Sequence, residues 1–333
     1  MKELIRRLVE SFGPAGCEGP IRRVIEEEIR PYVDEIRIDK MGNLIATKKG
    51  NGEGKRIMLS AHMDEIGVIV THIDEKGFLR FSNIGGLSAL TLLGQRIVFE
   101  NGTLGVVGRE KLDSVKDLTL EKMFIDIGCA TQAEAEAKVS IGDIGAVQRE
   151  MMDFGDNIVA KSLDDRIGCA VLIEVAKQLE APENDLFFVF SVQEEVGCRG
   201  AQVAAYALEP DLGIAVDVTA TGDTPEAARM EVGLGKGTAI KVKDRSLVTH
   251  PAVKQMMVDL AREFDIKYQM EVLEFGGTDA GAIHLTRAGV PSGVVSIPCR
   301  YVHSPSEMVS MTDVNASVSL IKAIVEADLS RWI

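Results

Sequence analysis

Four apolar runs in this 333-residue chain each end on residues that could do chemistry. His62 and Asp64 follow RIMLSA, and Glu194 and Glu195 follow LFFVFSV. Asp217 falls at the end of LGIAVDV, and His303 stands shortly after SGVVSIP. The segment SLDDRIG adds Asp164 and Asp165 just ahead of a helical pattern. Taken singly, each residue has an ordinary reading: a hydrogen-bonded histidine, a helix cap, a solvated turn. Together, two histidines and several carboxylates match the donor set of a site for two divalent metal ions. In extended chain, residues two apart point the same way, so Asp64 can sit beside the His62 ring and fix its tautomer. Adjacent glutamates repel unless a cation is near. In extended chain they also project to opposite sides, so one can bind a metal while the other serves as general base.

These residues need a scaffold that brings strand ends together. From Asp164 onward helical and strand patterns alternate: CAVLIEVAKQLE, LFFVFSV, GAQVAAYAL, LGIAVDV, HPAVKQMMVDLAREF, KYQMEVLEF, DAGAIHLTRAG, SGVVSIP and DVNASVSLIKAIVEADL. That order predicts an α/β fold, a mostly parallel sheet flanked by helices, with ligands outside the carboxyl ends of the strands. Two helices (2–12 and 20–31) and two short strands precede RIMLSA. Residues 67–158 read differently, as short strands parted by turn signals, and predict a small all-β barrel or sandwich inserted in the α/β domain. The expected division is 1–66 with 159–333 as the catalytic domain and 67–158 as the insert.

Composition narrows the function. The net charge of -14 argues against nucleic acid or an anionic membrane as partner, and bound cations could offset part of it. No apolar run approaches the ~20 residues of a membrane span, and the N-terminus lacks a signal-peptide core, so a cytoplasmic protein is expected. The five cysteines (Cys17, Cys129, Cys169, Cys198, Cys299) are odd in number and form no CxxC, which predicts reduced thiols rather than a disulfide framework or a thiolate zinc site.

The motifs AHMDEIG, SLDDRIG, QEEVGCRGA, AVDVTATGDTP, GGTDAG and VHSPSEM, in this order, resemble the tetrahedral (TET) aminopeptidase family over nearly the whole chain. The resemblance implies a zinc-exopeptidase-like fold and a cytoplasmic enzyme that removes N-terminal residues from short peptides. It implies two divalent ions (zinc or cobalt, with manganese the further option): His62 and Asp217 on one, Glu195 and His303 on the other, Asp164 on both. Glu194 is then the general base, Asp64 orients His62, and Asp165 with Arg166 supports the site. The GGTDAG loop lines the cleft with no assigned role, and Cys198 is expected to be a small core-facing side chain. A homodimer through the inserted domain, and a tetrahedral dodecamer of six such dimers, complete the expectation. Some family members carry the name endoglucanase, but glycosidases need no histidine ligands and grip sugars with aromatics, which are 5% of this chain. A two-metal deacylase or carboxypeptidase would need a cationic clamp for a carboxylate, and no Arg or Lys stands out for it. The complete ligand set disfavours a non-catalytic metal-binding scaffold.

Overall fold

The fold is described by a computed structural model covering residues 1–52 and 54–333. Its frame is an 11-stranded sheet whose centre is parallel. Asp185–Ser191 and Leu212–Thr219 flank Arg56–His62 in parallel, and Ser292–Arg300 continues the parallel order beyond Leu212–Thr219. Antiparallel pairs extend both edges. On one side lies the hairpin of Glu35–Ile38 and Leu44–Lys48, and on the other are Glu307–Ser310, Asn157–Ala160 and Met152–Phe154. The strand Thr238–Lys243, which the apolar pattern does not single out, pairs with Ser292–Arg300 and carries Tyr268–Val272.

The central strands are apolar on successive residues because both faces are covered. Ile57, Leu59 and Ala61 join the core beneath the helices Lys2–Glu10, Gly19–Ile29, Leu163–Gln178, Pro251–Glu263 and Met311–Glu326. Met58 and Val189 face the other way, against Ala201, Ala204, Ala205 and Ile283 of the helices Arg199–Leu208 and Asp279–Ile283. This is the helix-flanked α/β arrangement that the alternating pattern predicts.

Between Arg56–His62 and Asn157–Ala160 the chain builds a closed six-stranded barrel, running from Gly67–Ile73 to Ile144–Val147. Its interior is filled by its own side chains, among them Val68, Val70, Phe81, Ile97, Phe99 and Ile125. The chain is back in the large sheet by Met152–Phe154, which pairs with Asn157–Ala160 ahead of the boundary expected at 158. Among the described residues, no helix is long and apolar enough to cross a membrane.

Arg166 is the largest fully buried side chain. Its guanidinium donates to the main-chain oxygens of Leu8 (2.6 Å) in the first helix and of Ser11 (3.1 Å) and Gly13 (3.2 Å) beyond it, and to Glu65 (3.4 Å). Glu65 also takes Lys161 Nζ at 2.7 Å. One cation thus ties the N-terminal helix to the segment carrying Asp164. Replacing it strands several buried acceptors, so Arg166→Met is expected to lower unfolding free energy by about 3–5 kcal/mol in chemical denaturation. A loss of under ~1 kcal/mol, the worth of an exposed pair, would contradict this role.

Candidate metal centre

Six of the eight residues singled out at strand ends and before the long helix meet at the carboxyl edge of the parallel strands. His62 ends one strand, and Asp217 lies two residues from the end of its neighbour. Glu194 and Glu195 open the turn after Asp185–Ser191, and His303 follows Ser292–Arg300. Asp164 stands between the two rings: its Oδ1 is 3.1 Å from His62 Nε2 and its Oδ2 is 3.3 Å from His303 Nε2. On the His62 side, Asp217 Oδ1 lies 3.9 Å and Glu194 Oε2 4.0 Å from the same Nε2. On the other side, Glu195 Oε2 is 3.2 Å from His303 Nε2. The paired glutamates therefore do diverge, one toward each histidine.

The backbone is held by further carboxylates. Asp64 accepts Glu194 N–H on Oδ1 (3.0 Å) and Glu195 N–H on Oδ2 (3.1 Å), so it fixes the turn from which both glutamates project. This differs from the expectation that its carboxylate sits on the His62 ring. Nδ1 instead meets the Asp64 main-chain oxygen at 3.0 Å, with the carboxylate 3.7 Å away, because the two glutamate N–H groups claim both carboxylate oxygens. Asp165 accepts His62 N–H (3.2 Å) and Gly168 N–H (3.1 Å). The Asp164–Asp165 peptide is cis.

Two acidic residues were not given roles by sequence. Glu307 accepts Asp164 N–H (2.9 Å) and His303 N–H (2.8 Å), one oxygen each, and so positions groups on both sides of the centre. Asp279 of GGTDAG is buried, with Oδ2 receiving the hydroxyls of Ser60 and Ser191 at 2.6 Å each. Glu307 lies within the motif VHSPSEM, where the resemblance gives it no role, and opens the otherwise uncharged strand EMVS. Asp279 reads locally as the first residue of a helix.

The barrel supplies a wall. Its turn at Gly85 and Gly86 lies so close that a Cβ on Gly86 would collide with the His303 imidazole. The remaining cleft, about 430 Å³, is lined beyond the polar centre by Cys198, Val218, Thr219, Ala220, Leu273, Phe275, Gly276, Gly277 and Val302.

Burial dominates the electrostatics. It drives the carboxyls of Asp217, Glu194 and Glu307 well above their ordinary range, and that of Asp64 to about 7. Burial opposes charge on both histidines. Yet the Asp164 hydrogen bond and neighbouring carboxylates lift His62 well above its usual value and His303 to about 11. Asp164 resists the same burial because both rings hold its ionised form. Among the described residues no lysine or arginine forms an ion pair with Asp164, Glu194, Glu195 or Asp217, whose charged contacts within 4.0 Å are to the histidines. Buried carboxylates and imidazoles without a resident cation are a donor set that fits divalent metals. Two such groups of donor atoms lie within 4.8 Å of one another: His62, Asp164 and Glu195, and His62, Asp165 and Asp217.

Residues 42–320 match the family described as M42 glutamyl aminopeptidase. The chain belongs to that family. It is a peptide hydrolase. A protein of Acetivibrio thermocellus, named provisionally as an aminopeptidase, is 52% identical over 96% of this chain and 97% of its own. The lysyl aminopeptidase of Pyrococcus furiosus is 37% identical, over 97% and 96%. The TET1 peptidase of Pyrococcus horikoshii, which can assemble into a tetrahedron or a large octahedral shell, superposes with a TM-score of 0.89. It is 32% identical, covering 97% of this chain and 98% of its own. The M42 assignment agrees with the resemblance to TET aminopeptidases and with the barrel inserted in an α/β frame.

The metal-free centre makes stability depend on pH. Carboxyls and histidines with raised native pKa values stabilise the fold while protonated, and that contribution is lost as pH rises through those values, about 7 for Asp64. Asp164 has the opposite sign, but its loss lies at acid pH. The chelated M42 protein should therefore melt lower at about pH 8 than at about pH 6, and added Co²⁺ or Zn²⁺ should raise the melting temperature more at the higher pH. Calorimetry showing equal metal gains at both pH values would contradict this.

Proposed function

We propose that the chain is a cytoplasmic two-metal aminopeptidase acting on short peptides with a free N-terminus. His62 and Asp217 would hold one ion, Glu195 and His303 the other, and Asp164 both, with zinc, cobalt or manganese as the candidates. The observation that carries this reading is Asp164 between the two histidines, one carboxylate oxygen toward each. When bound, such ions polarise a peptide carbonyl and make water acidic near neutral pH. Glu194 takes the proton from the attacking water and later passes it to the leaving amine. Its main chain is fixed by Asp64, so the base is pre-positioned rather than recruited. The acidic end of the cleft suits an α-ammonium and disfavours a substrate carboxylate, which supports an aminopeptidase over a carboxypeptidase.

The side-chain subsite lies among Val218, Leu273, Phe275 and Val302, and the lining apart from the polar centre carries no charge. That supports preference for an uncharged, apolar N-terminal residue. Residues 1–66 and 159–333 form the catalytic unit, with the barrel within 67–158 joining two copies. The TET1 peptidase, which can assemble into a tetrahedron, supports a closed tetrahedral assembly here, a dodecamer of six such dimers.

Release of p-nitroaniline from Leu, Met, Glu, Lys and N-acetyl-Leu substrates, with EDTA and then Co²⁺ or Zn²⁺, tests this. Cleavage should require metal and a free amine, with Leu and Met ahead of Glu and Lys by about ten-fold or more. Glu194→Gln should lose about 10²-fold or more in kcat while keeping its metal. Near-normal turnover in Glu194→Gln, or hydrolysis of only the acetylated substrate, would overturn the assignment.

A further inference from the structure

Cys198 lies beside the base. After Glu194 the chain turns back at once: Gly197 N–H and Cys198 N–H both donate to the Glu194 main-chain oxygen, at 2.8 and 2.9 Å. Cys198 takes a left-handed conformation (φ 52°) ahead of the helix Arg199–Leu208. Its Sγ thereby reaches 3.2 Å from Glu194 Oε1, and it lines the open cleft rather than facing the core. One carboxylate oxygen of Asp279 completes the group, with the donor atoms of Glu194, Cys198 and Asp279 all within 4.8 Å of one another. Asp279 is 2% exposed, and while Oδ2 is occupied by two serine hydroxyls, Oδ1 has no partner. A buried carboxylate with one unpartnered oxygen, grouped with a thiol and a second carboxylate, is a place for a cation.

We propose that Glu194, Cys198 and Asp279 form a third cation site, selective for a thiophilic divalent ion such as zinc or cadmium, whose occupancy blocks the base. Sulfur sets it apart from the catalytic centre, whose donors are nitrogen and oxygen alone, and makes it favour soft ions over manganese. On binding, the S–H bond breaks, a sulfur–metal bond forms, and the proton leaves to solvent; no electron is transferred. The ion engages Glu194 through Oε1 while Oε2 faces His62, so it draws negative charge from the carboxylate that serves as base, and excess zinc inhibits where excess manganese does not. Only this inhibitory consequence rests on the aminopeptidase reading; the site itself does not.

The test is titration of Cd²⁺ into the full-length, manganese-loaded protein, reading the ultraviolet thiolate-to-cadmium charge-transfer band and, separately, anilide hydrolysis. Cadmium in the catalytic centre adds no such band, because no sulfur is there. The expected result is a saturable band that survives Cys17→Ala and Cys129→Ala and disappears in Cys198→Ala. Asp279→Asn should weaken cadmium binding by at least about ten-fold, which keeps the site testable if Cys198→Ala fails to fold. Inhibition by cadmium should weaken to a similar degree in both variants. No band in the wild type, or an unchanged band in Cys198→Ala, overturns the site; band loss with unchanged inhibition overturns the blocking of the base. A protein inactive on every anilide would still report the band, so failure of the activity reading is distinct from failure of the site.

Discussion

The burial of several carboxylates in one cleft is the constraint on which the rest of this structure depends. Asp164, Glu194, Glu195 and Asp217 share one pocket with two histidines and, among the described residues, no lysine or arginine in an ion pair with them. Burial first, and neighbouring carboxylates second, push Asp217 and Glu194 toward their protonated forms, while the two histidines hold Asp164 ionised. The fold must therefore spend rigidity on keeping such groups together. It does so with a second ring of acceptors: Asp64 on the N–H groups of both glutamates, Asp165 on that of His62, and Glu307 on those of Asp164 and His303. These carboxylates act through main-chain hydrogen bonds, which fix position without competing for the metal-facing atoms.

The parallel sheet makes the convergence possible. Adjacent strands running the same way deliver their carboxyl ends to one edge, so residues far apart in sequence arrive as neighbours. Arg166 anchors the opening helix to the segment that carries Asp164, and the barrel closes the cleft at Gly86 against His303. The inserted domain is therefore part of the wall of the centre, and a change in its packing reaches a candidate ligand directly.

Much of this was legible because strand ends are easy to find. An apolar run buried on both faces marks its own terminus, and polar residues immediately beyond it can be expected to share a cleft. The puzzle of Glu194 beside Glu195 resolves as two side chains sent to different histidines from a turn held by Asp64. What was not legible depends on contacts without a local pattern. Glu307 works across 143 residues to reach Asp164 and looks in sequence like one charge at the start of a short strand. The strand Thr238–Lys243 carries Lys241, buried against Glu271 and Asp244, so a lysine that reads as a solvent-facing residue hides an interior strand. Alternation places Asp64 near His62 but says nothing of the turn on the next strand, whose two N–H groups its carboxylate takes. Cys198 was expected in the core, and the left-handed turn puts it in the cleft instead.

The central claim is that Asp164 serves two ions at once while Asp217 serves one. Metal content of purified protein, measured by elemental mass spectrometry after reconstitution and desalting, tests it in the wild type, Asp217→Asn and Asp164→Asn, each checked for folding by circular dichroism. Two ions per wild-type chain are expected, one in Asp217→Asn and neither tightly held in Asp164→Asn. A folded Asp164→Asn protein that keeps both ions would contradict it.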